Sequence, residues 1–202
     1  MIKKDIFLNT QFLGSFPSHE GLPEDIGSEI AFCGRSNSGK SSVINALTNN
    51  KKMAKTSKTP GRTQSINAFS LGDRLDLRLI DLPGYGYAKV SKAMRSEWGD
   101  VISKYLNSRK SLKGLVLIMD IRHPFKDSDQ MLIDWCEETA TPFLVLLNKS
   151  DKLSRNKINL SLNEANKRLE NCKNPFHLLP FSAANRSGTE QAGFILENFL
   201  GT

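Results

Sequence analysis

The residues best equipped for chemistry lie in "GRSNSGKS", Gly34 to Ser41, where two glycines stand five apart and a lysine and a hydroxyl residue follow. Glycines there let successive backbone N–H groups turn inward around an anion, and the start of a helix adds its dipole. Gly34, Arg35, Ser36, Asn37, Ser38 and Gly39 then form a phosphate cradle, Lys40 supplies a mobile positive charge for the outer phosphates, and Ser41 is placed to ligate Mg2+. A second loop, "DLPG", runs from Asp81 through Leu82 and Pro83 to Gly84. Its carboxylate suits the water shell of Mg2+, and the Gly84 N–H suits the terminal phosphate.

The third loop, "NKSD", comprises Asn148, Lys149, Ser150 and Asp151 and answers which base is bound. Guanine presents N1–H and a 2-amino group side by side, and one carboxylate accepts both; adenine has no such pair. Asp151 therefore favours GTP over ATP. Asn148 either bonds the base edge or ties this loop to the phosphate loop, and the aliphatic stem of Lys149 lies over the ring face. In "FSA", Phe181, Ser182 and Ala183, backbone N–H groups are expected near guanine O6. An ATP-dependent nucleotide or metabolite kinase would share the first loop, but "NKSD" speaks against it.

These loops need a scaffold that brings them to one edge. "EIAFC", "INAFS", "LDLRLID", "LKGLVLIMD", "PFLVLLN" and "FHLLPFS" read as strands, and the stretches "KSSVINALTNN", "SKAMRSEWGDVISKYLNSR", "DSDQMLIDWCEETA", "SLNEANKRLENC" and "GTEQAGFILENFL" carry helical spacing. The pair around "LGDR" should run antiparallel through a tight turn. Apolar strands alternating with helices give an α/β fold: a six-stranded, mostly parallel sheet with helices on both faces. Ligands collect at the carboxyl ends of such strands, where all four loops fall. Residues 1–28 are read as an extension packed on a single domain of residues 29–202.

The chain has 202 residues, 39% hydrophobic and 24% charged, which fits a globular domain with a real core. No apolar run is long enough for a membrane span and no leader is evident, so the cytoplasm is the expected compartment. Cys33, Cys136 and Cys172 are too scattered for a disulfide framework or zinc cluster, and His19, His123 and His177 share no ligand spacing. A net charge of +7 points toward a polyanionic partner. "KKMAKTSKTPGR" concentrates Lys51, Lys52, Lys55, Lys58 and Arg62 without an acid. It is either a solvated loop or a contact for RNA phosphates.

From about Glu29 to Phe199 the sequence closely resembles the bacterial EngB family of GTPases, in the group that includes Era and EngA. "GRSNSGKSS", "KTPGRTQSINAF", "DLPGYGYAKV", "DIRHP", "NKSD" and "FSA" carry the likeness. The resemblance implies a three-layer P-loop NTPase of the Ras-like G-domain type. It also implies GTP hydrolysis to GDP and phosphate as a switch in assembly of the large ribosomal subunit, with a role in normal cell division and septation. Its partners would be guanine nucleotide and the large subunit or its assembly intermediates, through ribosomal RNA or protein; the chain itself is expected to be a monomer.

By the same resemblance, Thr63 belongs to a switch loop with Gly61, Arg62, Gln64 and Ser65 that closes over Mg2+ and the terminal phosphate. Ser38 stands where relatives usually carry Val or Ala. Lys40, Thr63, Gly84 and Asn37 are the residues expected to carry catalysis, yet Tyr85 stands where Ras-like enzymes place a water-orienting glutamine. Related GTPases with asparagine at the position of Asn37 bind K+ beside the phosphates, and turnover in KCl equal to that in NaCl would reject this. Activation in trans by ribosomal RNA or protein is the other route, so intrinsic hydrolysis should be slow. A GTP-sensing module with negligible turnover is the alternative. In "DIRHP", Arg122 and His123 serve the site or cap the next helix. Trp98 and Trp135 fit apolar helix faces.

Overall fold

The computed structural model describes residues 6–55, 65–85 and 92–202, with residues 92–99 as backbone alone. In chain order the strands are β1 (Gln11–Phe16), β2 (Ser28–Gly34), β3 (Ile66–Leu71), β4 (Arg74–Asp81), β5 (Leu112–Asp120), β6 (Phe143–Asn148) and β7 (Phe176–Pro180). The helices are α1 (Lys40–Leu47), α2 (Lys92–Ser108), α3 (Asp127–Thr139), α4 (Arg155–Leu169) and α5 (Thr189–Leu200). The strands form one sheet in the order β1-β3-β4-β2-β5-β6-β7. β4, β2, β5, β6 and β7 run parallel, and β1 and β3 complete the sheet antiparallel.

The central strands are apolar throughout because both of their faces are covered. In β2, Ala31 and Cys33 enter one core with Ile102, Ile133 and Leu169 from α2, α3 and α4. Ile30 and Phe32 enter the other, with Ile44 and Leu196 from α1 and α5. The same alternation runs through Leu115, Leu117 and Met119 against Val116 and Ile118 in β5. This is the three-layer α/β arrangement expected.

Among the described residues the sheet has seven strands rather than six. The extra strand, β1, comes from the stretch read as an extension, and pairs from Gln11↔Ser70 to Phe16↔Ile66 with an irregularity between Phe12 and Gly14. An edge strand buries little, so its apolar signal is weak: Phe12 is 56% exposed. The expected turn at "LGDR" is present, with Leu71 opposite Arg74 and Gly72 at φ 62°.

The amino end of β2 is clamped by a charge cluster. Glu29, fully buried, accepts from Arg78 Nε at 2.8 Å, from Arg109 Nη2 at 2.5 Å and Nε at 3.2 Å, and from the Tyr105 hydroxyl at 2.9 Å. Arg78 also donates to the carbonyls of Glu24, Ile26 and Leu75, and Arg109 to that of Pro23. A carboxylate with these partners meets the desolvation cost of its burial, and it ties the chain before β2, the middle of β4 and the end of α2 together.

The basic stretch after α1 is not wholly loose. Asn45 donates to the carbonyls of Lys51 and Ala54 at 3.1 and 3.0 Å and accepts from the Ala54 N–H at 2.7 Å. Residues 51–54 are thus pinned to α1, while Lys51 and Lys52 stay exposed in turns, as the reading of a solvated loop expects. Lys58, Gly61, Arg62, Thr63 and Gln64 lie outside the described residues, as does the side chain of Trp98. Trp135 packs on the core with its indole N–H on Asn107 Oδ1 at 3.1 Å.

Candidate nucleotide-binding site

β2, β4, β6 and β7 deliver the four loops to the same edge of the sheet. Gly34 closes β2 so tightly that a Cβ would lie 2.6 Å from Ser38 Oγ and 2.9 Å from the Ile118 carbonyl oxygen. Gly39 takes φ 95°, in the left-handed region, and a side chain there would collide with Asn148 Nδ2. Both glycines of the phosphate loop are therefore required by geometry.

Gly39 also caps α1 without a side chain. The Val43 N–H is the one that reaches the Gly39 carbonyl, at 2.9 Å, so the amides of Lys40, Ser41 and Ser42 precede the helical ladder. They form a cluster of donors at the positive end of a helix. Beside them, Lys40 Nζ donates to Asp81 Oδ1, and Asn67 Nδ2 donates to Asp81 Oδ2 at 3.3 Å. Lys40 and Asp81 are 8% and 2% exposed. The lysine ammonium thus neutralises a carboxylate at the rim of the anion cradle.

At the other end of the site, the Ser182 hydroxyl donates to Asp151 Oδ1 at 2.6 Å, and Lys152 Nζ lies 3.2 Å from Oδ2. The Ser182 hydrogen bond, aided by Lys152 and outweighing a small burial effect, holds the Asp151 carboxyl below its ordinary pKa. Asp151 is consequently ionised at neutral pH, an acceptor on both oxygens.

Two side chains join these ends. Asn148 Nδ2 donates to the Ser38 carbonyl at 2.8 Å while Asn148 Oδ1 accepts from the Ala183 N–H at 3.2 Å. Of its two expected roles, the structure shows the tie to the phosphate loop. Lys149, at φ 67°, reaches back so that its Nζ donates to the Asn37 carbonyl at 2.6 Å and lies 3.0 Å from Asp120 Oδ2. Burial pushes the Asp120 carboxyl up, but the Arg122 side chain, Lys149 and the Arg122 amide outweigh it and leave the pKa well below the usual range.

The remaining predicted residues divide by what their side chains face. Leu82 and Phe181 are fully buried in the core and Pro83 is buried. Ser150 is buried with its N–H on the Phe181 carbonyl at 3.1 Å. Ser65 is half-buried just before β3, and Ser41 is half-buried on the first turn of α1. The N–H groups of Phe181, Ser182 and Ala183 are engaged by the Leu147 and Ser187 carbonyls and by Asn148 Oδ1. A guanine O6 near Ala183 would have to share its N–H.

Two residues at motif positions turn away from the cradle. Arg35 sends its Nη2 to the His123 carbonyl at 2.6 Å and its Nε to within 3.2 Å of Asp129 Oδ2. Tyr85 donates its hydroxyl to Asp129 Oδ1 at 3.0 Å, so it does not stand in for the water-orienting glutamine. Arg122 pairs with Asp120 at 2.6 Å, and α3 is capped instead by Asp129, which accepts the Lys126 N–H at 2.9 Å. Neither Arg122 nor His123 caps that helix.

Sequence reasoning missed Asp129, Asn67 and the anchoring role of Asp120. The available signal for Asp129 was an acid in the first turn of a helix; nothing in the sequence placed it under the phosphate loop.

A glycine loop at a helix start that no side chain caps, a buried Lys–Asp pair next to it and an ionised Asp at the far end of the same sheet edge define a P-loop GTPase. The comparisons agree. The model of the family described as "50S ribosome-binding GTPase" matches residues 29–149. A protein of Alteromonas mediterranea named "Probable GTP-binding protein EngB" is 47% identical over 195 residues, covering 96% of this chain and 91% of that protein. One of the same name from Pasteurella multocida is 46% identical over 199 residues, covering 97% and 96%. The crystal structure titled as a probable GTP-binding protein engB superimposes with a TM-score of 0.69 at 23% identity, over 86% of this chain and 98% of that one. Aquifex aeolicus Era bound to GDP and AlF4- superimposes with a TM-score of 0.63 at 18% identity, over 86% and 57%. The chain belongs to the EngB family of GTP-binding proteins.

Proposed function

We propose that this protein hydrolyses GTP as a switch in assembly of the large ribosomal subunit, with a role in normal division and septation, and that the edge just described holds the nucleotide. The observation that carries the guanine nucleotide is the double tie between the two ends of the site: Asn148 on the Ser38 carbonyl and Lys149 on the Asn37 carbonyl. They fix the base-reading Asp151 at a set distance from the helix that receives the phosphates. The glycine loop, Lys40 and the amides at the start of α1 bind the phosphates. Ser182 orients Asp151 toward the N1–H and 2-amino group. Gly84, with Gly61 to Ser65 from the switch segment, completes the terminal-phosphate end.

The donor set fits Mg2+. Asp81 is a buried carboxylate whose charge Lys40 now balances, Ser41 on the first turn of α1 is the hydroxyl ligand proposed, and Thr63 is the third. When bound, the ion neutralises the β- and γ-phosphate oxygens. Lys40 must leave Asp81 to reach those phosphates, which their shared position at the rim allows. Asn37, exposed in the loop, is the residue proposed to favour K+ beside them. We place the protein in the cytoplasm as a monomer, residues 29–202 acting as one GTP-binding unit. Among the described residues no helix is long and apolar enough to cross a membrane.

The test of guanine selection is Asp151→Asn, with GTP and xanthosine triphosphate competing for the protein. Losing two charge-assisted hydrogen bonds, each about 1.5–3 kcal/mol, should weaken GTP by about 100-fold or more and turn the preference toward xanthine, whose 2-oxo group accepts a bond from the new amide. Retained preference for GTP refutes the assignment of Asp151.

The ribosomal role is supported by family membership and by the excess of positive charge. Protein loaded with a nonhydrolysable GTP analogue should sediment with large-subunit particles and the GDP form should not, with binding falling as salt rises. Equal sedimentation of both forms refutes the switch. The orientation of Tyr85 toward Asp129 favours a second reading, a sensor with negligible turnover. Single-turnover hydrolysis with and without those particles decides, because only the enzyme accelerates.

A further inference from the structure

Asp129 is fully buried. A cap for α3 would need one acceptor at the surface, so burial of a whole carboxylate calls for further partners. Both come from the nucleotide loops: a hydrogen bond from the Tyr85 hydroxyl to Oδ1 at 3.0 Å, and the charge of Arg35, whose Nε lies 3.2 Å from Oδ2 as an ion pair without hydrogen-bond geometry. The main chains of those two residues are joined as well. The Ser36 N–H donates to the Tyr85 carbonyl at 3.0 Å, the Tyr85 N–H reaches the Gly34 carbonyl at 3.4 Å, and Arg35 and Tyr85 form a parallel bridge beyond the ends of β2 and β4. Gly84 is carried by this junction: a Cβ there would sit 3.4 Å from Ser36 Oγ and 3.6 Å from the Gly34 carbonyl.

We propose that Asp129 and Tyr85 are positioning residues for GTP hydrolysis: through them α3 latches the DLPG loop onto the phosphate loop and presets the Gly84 N–H for the terminal phosphate. This rests on the GTP reading of the site given above. The latch makes the position of Gly84 a property of the folded protein, so the ordering cost of that contact is met before the nucleotide arrives. Tyr85 is suited to this. Burial first, and the neighbouring Asp129 charge second, push its phenol well above the ordinary range, so it stays a neutral donor at working pH.

GDP lacks the phosphate that Gly84 meets, and the two nucleotides therefore separate the latch from general support of the fold. Tyr85→Phe removes one hydroxyl and leaves Arg35 on Asp129. Affinities for GDP and for a nonhydrolysable GTP analogue, measured with Mg2+ by competition against a fluorescent guanine nucleotide, should show the analogue weakened about tenfold and GDP changed less than twofold. Single-turnover hydrolysis should fall by a similar factor. Asp129→Asn also removes the charge that Arg35 pairs with, leaving Arg35 held by the His123 carbonyl alone, so GDP affinity should also fall in that variant. Both measurements are made well below the thermal midpoint of each variant, so reduced stability does not enter the ratio. Equal loss of both nucleotides in Tyr85→Phe, or loss of neither, overturns the latch. A parent protein that binds neither nucleotide overturns the proposed function itself, whereas a selective parent with an unshifted Tyr85→Phe variant overturns the latch alone.

Discussion

Replacing Glu29 by glutamine keeps the shape of the side chain and removes a charge from the place least able to lose it. Glu29 is fully buried, and the side chains of Arg78 and Arg109 beside it are 3% and 7% exposed. After the change both guanidinium groups stay buried, and the remaining ion-pair partner among the described residues is the part-exposed Asp25, 3.5 Å from Arg109. One carboxylate oxygen also becomes an NH2 donor. It then faces either Tyr105 and the Arg109 Nε, or Arg78 and the Arg109 Nη2, which are donors themselves. Removing one partner of a buried ion pair costs about 3–5 kcal/mol. A domain of this size is stable by about 5–15 kcal/mol, so the loss is a large fraction of the total. At about 2–4 °C per kcal/mol, the midpoint should drop by about 6–20 °C.

Urea unfolding followed by far-ultraviolet circular dichroism measures the loss, with the slope against denaturant unchanged. Nucleotide affinity of the folded variant should stay within about twofold. Glu29 and Gly34 mark opposite ends of β2, about 17 Å apart at 3.3 Å per residue. A loss below about 1 kcal/mol, or a change in affinity without a change in stability, would refute the clamp.

Ser38 Oγ is buried without a hydrogen-bond partner. An unsatisfied buried hydroxyl costs about 1–3 kcal/mol, so Ser38→Ala should raise stability by about 1 kcal/mol in the same urea assay and leave GDP affinity unchanged. Asp25 responds to pH. Its slight burial raises the carboxyl pKa, but the Ser111 hydroxyl, the Lys110 and Ser111 amides and Arg109 outweigh this and bring it from 3.8 to about 2. A depressed pKa gives stability that is present above about pH 4 and lost as pH falls through about 2. Asp25→Asn should therefore be destabilising at pH 7 and converge on the parent near pH 2, as urea midpoints across that range will show.

The order of apolar strands and periodic helices made the sheet legible, because strands covered on both faces cannot avoid long apolar runs. β1 was hidden by the opposite circumstance. None of its residues is buried, and its place is fixed by ladder bonds to β3, which leave no compositional trace. Glu29 opens an apolar run, and Arg78 lies among the alternating charges of β4. Their meaning required the register that puts Glu29 opposite Arg78, information a single strand does not carry.

In the nucleotide site, the glycine loop, the Lys40–Asp81 pair and Asp151 meet at one edge because the loops that carry them follow parallel strands of one sheet. What spacing could not supply was the direction of each side chain. Arg35 and Tyr85 sit at motif positions, but their polar ends bond Asp129 and the His123 carbonyl. Asn148 likewise spends its amide on Ser38 and Ala183. Several motif residues therefore act on the protein. A backbone cradle presents amides to an anion only while its turns are held in shape, and glycine-rich turns have no side chains of their own to hold them. The holding must come from neighbouring elements, here Asn148 and Lys149 from the loop after β6 and Asp129 from α3. A motif read as a list of ligand contacts omits the residues that keep it open, and those are the ones that a change of a single hydroxyl at Tyr85 is designed to reveal.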